Sequence, residues 1–436
     1  MPCNTPPPPT MDDEEDQMEV PEMEDDIIII EDTDDAVNTF VFHSDPVFCC
    51  NFDKVGIMAV TGGQDDRAIV WDTNTDQQAK FIVTGHRDSV IAADFNHDSS
   101  LVASADMDGM IQVWNVSSGS HEWDFETTEI TWMAWHPTTN LLFAGTIDGN
   151  CWKWSVPDGV TCEVFPTHGV ASSCGRLLEN GSKCVVGYQD GSVKLWDANN
   201  SSLIGTLHDH KQGVLCLASS PDGTLIASGA EDGTVKLIKS SNFKVLHSWN
   251  VAEETGIESI GFFRSHPLIA VGTSQGDLNI YDLSTYTLRA STNLGDSIVK
   301  LVCSDSSPYV YIACGSNVEC YDGRSCEVLN KWFCHDDRIL DLAFSPNVGM
   351  ATTHGITYCT GKVVCSLKVQ KGYWREFLLY LKEKDCCNLQ GNKYTLLEHT
   401  IEAKTKRQYF SLLCNSLLPH SWLRQFSPAC SGHGEK

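Results

Sequence analysis

Apolar and polar residues alternate in short runs along most of this chain, and the runs are punctuated at a nearly fixed interval. The clearest case is Gly187-Tyr188-Gln189-Asp190-Gly191-Ser192-Val193-Lys194-Leu195-Trp196-Asp197. An Asp-Gly turn leading into an alternating run that closes on Trp-Asp predicts a tight hairpin followed by a half-buried strand. Asp65, Asp108, Asp148 and Asp232 stand six residues before Trp71, Trp114, Trp154 and Ile238 in the same way. Tyr281 and Tyr321 continue the series, with Gln275 and Gly315 in the place of the Asp. The closing residues are 43, 40, 42, 42, 43 and 40 positions apart. A period of about 40–45 residues with four strands per unit predicts an all-β ring of repeated sheets, a β-propeller.

Each unit reads as inner strand, second strand, Asp turn, third strand and outer strand. Repeat 2 shows it best: Gly85-His86, inner strand Val90–Asn96, then Leu101–Ala105, Asp108-Gly109 and Ile111–Trp114. Val37–His43 alternates like an edge strand and is expected to complete the last sheet, so that the ring closes without a free edge. His335–Pro346 opens an eighth repeat, after which the pattern fades. Met350–His354 fits its second strand and Gly355–Cys359 a shortened third strand. The expectation is eight repeats with the eighth degenerate, the alternative being seven blades. The divisions are then an acidic leader over 1–36, the propeller over 37–366 and a non-repeat tail over 367–436.

Histidines recur just before inner strands, at His43, His86, His168, His210 and His335. A catalytic histidine needs a nucleophile or an acid partner in a site, and no such constellation is visible. The arrangement of His, turn Asp and strand Trp resembles the buried hydrogen-bonded set of WD-repeat blades, which implies a structural role in which each His orients the turn Asp of its blade. The set is His43, Asp65, Trp71, His86, Asp108, Trp114, Asp148, Trp154, His168, Asp190, Trp196, His210 and Asp232. A hydroxyl two residues before the Asp survives only as Thr146, which leaves several networks incomplete. Trp132, in the inner strand of the aromatic third repeat, is a core residue or an exposed anchor beside the central channel.

Charge alters this picture more than composition does. The net charge is −28. Residues 1–35 hold fourteen Asp and Glu and no Lys or Arg, whereas 368–436 carry +5. The propeller between them is left with −19. Self-repulsion and few core-forming residues predict disorder for the leader, with Ile27–Ile30 as an apolar plug among the acids. An acidic body argues against direct nucleic-acid binding, where phosphate contacts need cations. It favours proteins with basic segments as partners. Nineteen cysteines lie largely at strand positions behind no secretory signal, which fits free thiols in a reducing cytoplasm. Adjacent pairs such as Cys49-Cys50 lack the gap of a zinc knuckle, so neither a metal nor a cofactor is expected. Ile27–Ile30 is far too short to span a membrane.

The pattern of His, turn Asp and strand Trp resembles the WD-repeat family. Within it the chain is similar to the angio-associated migratory cell protein family and its fungal ribosome-assembly relative. The residues that carry the likeness include Ala59-Val60-Thr61-Gly62-Gly63-Gln64-Asp65-Asp66, Trp132-Met133-Ala134-Trp135-His136-Pro137, Ala144-Gly145-Thr146-Ile147-Asp148-Gly149-Asn150 and Cys174-Gly175-Arg176. They run in order over about 38–346, and the chain departs from that pattern after Asn347. The resemblance implies a cytosolic, non-catalytic eight-repeat scaffold, in the fungal case one that chaperones a basic ribosomal protein. In animals it implies an adaptor in cell migration and angiogenesis, with heparin binding. A polyanion such as heparin is not favoured by the −19 body.

Aligning inner strands on Val47, Val90, Ile298 and Ile339 puts Asp45, Asp88, Asp296 and Asp337 at one position two residues earlier, with Glu129 one residue later in its repeat. In a closed ring, repeats 7, 8, 1 and 2 are consecutive. An acidic arc formed by Asp45, Asp88, Asp296 and Asp337, helped by Glu129 and Trp132, is therefore expected to hold a Lys- and Arg-rich segment on a monomeric ring. Removing residues 1–36 should leave the melting temperature nearly unchanged. A fall of more than about 4–8 °C in a calorimetric scan would show that the leader supports the fold.

Overall fold

A computed structural model describes residues 38–40, 42–73, 78–160, 162–166, 169–253, 255–333, 335, 338–345, 350–355 and 365–369. These form eight four-stranded antiparallel sheets. Seven are built from consecutive strands, beginning with Val47–Phe52, Met58–Gly63, Ala68–Asp72 and Ala79–Val83 in blade 1. Inner strands of blades 2 to 7 begin at Val90, Ile130, Ser172, Val214, Ile257 and Ile298. Blade 8 takes Ile339–Ser345, Met350–Gly355 and Cys365–Val369 from the far end of the chain, and Asn38–Phe40 as its outer strand. Asn38 pairs with Leu367 and Phe40 with Cys365, so the edge strand expected at Val37–His43 does close the ring. The eighth sheet is complete, and its third strand lies at Cys365–Val369 instead of Gly355–Cys359. Cys365-Ser366-Leu367-Lys368-Val369 alternates apolar and polar there, but no Asp turn precedes it and no Trp-Asp closes it to mark it as the third strand.

No single core holds the ring. Eight apolar clusters are present, each shared by two neighbouring blades: one joins Val60, Val70 and Val83 of blade 1 to Val90 and Val102 of blade 2. Another joins Val185 and Leu195 of blade 4 to Val214 and Ile226 of blade 5. The eighth joins Phe40 of blade 8 to Val47, Ile69 and Trp71 of blade 1. A propeller sheet is apolar on both faces and can bury them only against its neighbours.

The approach at these seams is set by glycine in the second strand. A Cβ placed on Gly229 would lie 2.5 Å from Ile257 Cγ2 of the next blade. Gly62 against Val90 and Gly187 against Val214 repeat the joint at 2.5 and 2.6 Å. In each case a cysteine of the inner strand, Cys49, Cys174 or Cys216, fills the remaining gap. The blade 3–4 seam is built differently. Trp132 stands where the cysteine would be, and its indole lies against Gly145 and Gly175.

Every inner strand also carries a one-residue bulge after its first residue, between Val47 and Cys49 in blade 1 and between Ile339 and Asp341 in blade 8. The extra residues, from Phe48 and Ile91 to Glu258 and Leu340, are all half-buried. A bulge sharpens strand twist, which helps eight short strands turn about one axis.

Two substitutions report on the seams. Gly229→Val should cost about 1–3 kcal/mol through overpacking against Ile257. Trp196→Ala, at a side chain 1% exposed, should cost about 3–5 kcal/mol. Denaturant midpoints unchanged from wild type would refute the packing described.

Candidate partner-binding face

The loops that enter the inner strands and the turns between second and third strands lie at one end of the ring, here called the upper face. Buried histidines tie the two together. In blade 1, His43 Nδ1 meets Asp65 Oδ1 at 2.8 Å and its Nε2 meets Thr61 Oγ1 at 2.7 Å. Trp71 Nε1 donates to the same hydroxyl at 2.9 Å, and the Ser44 N–H donates to Asp65. Blade 5 has His210 between Ser228 Oγ at 2.8 Å and Asp232 Oδ1 at 3.5 Å, with Thr234 Oγ1 at 2.8 Å from Nδ1. Ile238 replaces the Trp there, so the chain ends at the serine.

Blade 2 corrects the expectation for Asp108. His86 bonds Ser104 Oγ at 2.7 Å and Asp106 Oδ2 at 3.1 Å, while Asp108 is exposed. Asp106 ends the second strand and is buried, whereas Asp108 follows in the exposed turn, so Asp106 takes the role, accepting the Arg87 and Met110 N–H groups as well. Trp114 donates to Gln112 instead. The hydroxyl position is also corrected: Thr61, Ser104 and Ser228 stand four residues before the turn position, not two. In blade 3, Asp148 is exposed and takes the Thr146 hydroxyl and the Asn150 side-chain amide within its own turn, while Trp154 is buried in a stack with Trp152. Asp190 is exposed and accepts the Ser192 N–H at 2.9 Å, and Trp196 is buried. His168 lies outside the described residues, and His335 is half-buried.

The expected acidic arc is present in part. Asp45, Asp88 and Asp296 are exposed on the loops entering blades 1, 2 and 7, and Asp337 lies outside the described residues. Asp45 accepts the Ser44 hydroxyl at 2.8 Å, and Asp88 accepts the Ser89 N–H at 2.7 Å. Asp296 is the exception, with Arg338 Nη2 3.4 Å away and Gly315 beneath its carboxylate. Glu129 is half-buried. Trp132 is overturned as an anchor: it is 8% exposed and fills the blade 3–4 seam.

Two acidic features escaped the sequence reading. Burial and the neighbouring charge of Glu231 raise the carboxyl of Glu258, the bulge residue of blade 6. Asp94 of the blade 2 inner strand is pushed up to about 7 by burial, against the Phe95 N–H and the Lys300 charge. Lys300 of blade 7 is bound to Asp341 of blade 8, whose other oxygen accepts the Cys50 N–H of blade 1 at 2.9 Å. Only the bulge and the ring place these groups together, and neither is legible in local sequence. Among the described residues no group of three or more His, Cys, Asp or Glu is placed to hold a metal ion, and no helix is long and apolar enough to cross a membrane.

The WD domain, G-beta repeat pattern matches residues 35–72, 77–115, 119–155, 159–197 and 201–239. The human angio-associated migratory cell protein is 38% identical over 344 residues, spanning 74% of this chain and 79% of its own length. The chain belongs to the angio-associated migratory cell protein family. The ribosome assembly protein SQT1 of Saccharomyces cerevisiae is 25% identical over 74% of this chain and 83% of its own length. Among solved structures, Chaetomium thermophilum Sqt1 bound to the N-terminus of the ribosomal protein L10 superimposes with a TM-score of 0.70 at 20% identity. It covers 77% of this chain and 100% of that one, which shows a shared fold.

The carboxylates of this family member predict opposite responses to pH. Burial raises the Asp65 carboxyl, but the His43 hydrogen bond and charge and the Ser44 N–H outweigh it and leave it lowered. A lowered folded value contributes stability above the unfolded value of about 3.9, lost as pH falls through the folded one. Asp94 is raised, so its ionisation costs stability as pH climbs from about 4 past 7. Thermal melts should therefore show Asp65→Asn below wild type at pH 7, with the gap closing below about pH 4. Asp94→Asn should lie above wild type at pH 8, with the gap narrowing as pH falls and closing only below about pH 4. The reverse order at pH 8 would refute the Asp94 assignment.

Proposed function

We propose that the ring is a non-catalytic scaffold that holds a basic segment of a client protein on its upper face, as a chaperone for a basic ribosomal protein would. The observation that carries this reading is electrostatic. Asp45 and Asp88 are exposed and held by a hydroxyl and a backbone N–H, and Glu258 shares its surroundings with Glu231. Glu258 gains most when a Lys or Arg arrives, because a cation relieves its repulsion with Glu231, and the exposed Asp45 and Asp88 add attraction at the rim. The relation to a ribosome assembly protein, and a like fold solved with a ribosomal protein segment, support the client class. Each rim contact adds little alone, so affinity rests on the set acting together and on attraction at a distance.

A second reading, an adaptor in cell migration and angiogenesis, follows from the 38% identical human relative. It places partners on the leader or the outer strands and gives the upper face no special weight. Both readings place the protein in the cytoplasm.

Changing Asp45, Asp88, Glu231 and Glu258 to their amides should weaken a Lys- and Arg-rich peptide at least tenfold and flatten its salt dependence. The thermal melt should hold. Affinity of the wild type should rise with pH through the glutamate range, since bound cations favour the ionised Glu258. Undiminished binding by the folded quadruple variant would sink the upper-face reading.

A further inference from the structure

A second binding surface of opposite character lies at the lower outer rim of blades 4 and 5. The outer strand of each blade has a free edge, and natural edges are blunted by charge. Among the outer strands of four or more residues, Ser202–Leu207 of blade 4 alone carries no charged side chain. A bulge where Trp196 pairs with Leu203 leaves both Leu203 and Ile204 in solvent, 48% and 43% exposed. Gly205 of this strand lies against Phe243, the turn residue that leads into Lys244 and the blade 5 outer strand, where Leu246 is 42% exposed.

Three ammonium groups border this patch. Lys239 and Lys244 sit directly opposite each other across the last two strands of blade 5, and both are exposed. Like charges so placed destabilise a sheet. Lys183 reaches from blade 4 to the Ser240 carbonyl at 2.8 Å, beside Lys239. Asp197 sits opposite Lys183 across the strands, but among the described residues no carboxylate lies within ion-pair distance of any of the three.

We propose that this rim docks an extended acidic segment of a partner protein, which adds as a fifth strand to Ser202–Leu207. Backbone pairing would supply the register, the aliphatic steps would cover Leu203, Ile204 and Leu246, and Asp or Glu flanks would meet the lysines. Charge complementarity fixes the occupant's sign: a basic client suited to the upper face is repelled here. The proposal does not rest on the basic-client reading, because the two surfaces lie on different parts of the ring.

The test uses the full chain and a fluorescein-labelled peptide Glu-Asp-Ile-Val-Ile-Asp-Glu, followed by anisotropy, with a control in which Lys replaces every acid. The acidic peptide should bind, weaken with salt, and remain bound when a basic peptide saturates the upper face. Lys239→Gln with Lys244→Gln, and separately Leu203→Asp with Ile204→Asp, should each weaken it at least tenfold. The lysine pair should melt at or above the wild-type temperature, since a like-charge pair has been relieved. Equal binding of the Lys control, or full affinity in either folded variant, would overturn the proposal. So would sedimentation showing that the rim is occupied by a second copy of this chain that the peptide displaces.

Discussion

The ring depends on one constraint: a four-stranded sheet with two apolar faces has nowhere to bury them except against another such sheet. Each seam must therefore be close, and closeness is decided where glycine of one blade faces a β-branched residue of the next. Gly62, Gly187 and Gly229 let Val90, Val214 and Ile257 reach the neighbouring backbone. Where the chain uses Trp132 in place of a small thiol, it needs glycine on both sides, Gly145 and Gly175. Side-chain volume is thus balanced seam by seam, which is why the apolar residues fall into eight clusters and not one.

A frame held this way is indifferent to what its loops carry, and the loops carry most of the chemistry. The buried His–Asp pairs consume some of the carboxylates of the upper face, and those are the ones with lowered values. The others point to solvent or line the channel. The same residue type thus does two jobs in neighbouring positions. Asp65 holds a loop in place, and Asp45, twenty positions earlier, lies exposed at the surface.

The architecture was legible because its signal is periodic. A turn, an alternating strand and a closing residue recur through seven units at a nearly fixed interval, with Asp at the turn in five of them, and the N-terminal strand announced itself as an unpaired edge. What stayed hidden depends on pairing across long separations. Cys365–Val369 alternates but follows no Asp turn and closes on no aromatic, so its neighbours in the sheet define it as the third strand. Asp106 displaced Asp108 because it ends the buried second strand while Asp108 lies in the exposed turn, and sequence spacing alone cannot say which one the histidine meets. Trp132 was read as a possible anchor since a large aromatic in an inner strand suits either place. The two glycines that enclose it are 13 and 43 positions away. Glu258 and Asp94 were silent for the same reason, their surroundings being assembled by bulges and by ring closure.

The pairing of Asn38 with Leu367 has a consequence for how the protein is made. The outer strand of blade 8 leaves the ribosome among the first ordered residues, yet the strand it completes follows 329 positions later. At about 5–20 residues per second, that delay is on the order of tens of seconds. During this interval seven sheets can form in order, each finding its neighbour as it emerges, while the seam beside Trp71 lacks Phe40 as its lid. The newborn chain is an open crescent with one apolar flank bare at each tip. The ring shuts with a clasp, and until then the nascent polypeptide presents the surface that folding helpers are built to cover.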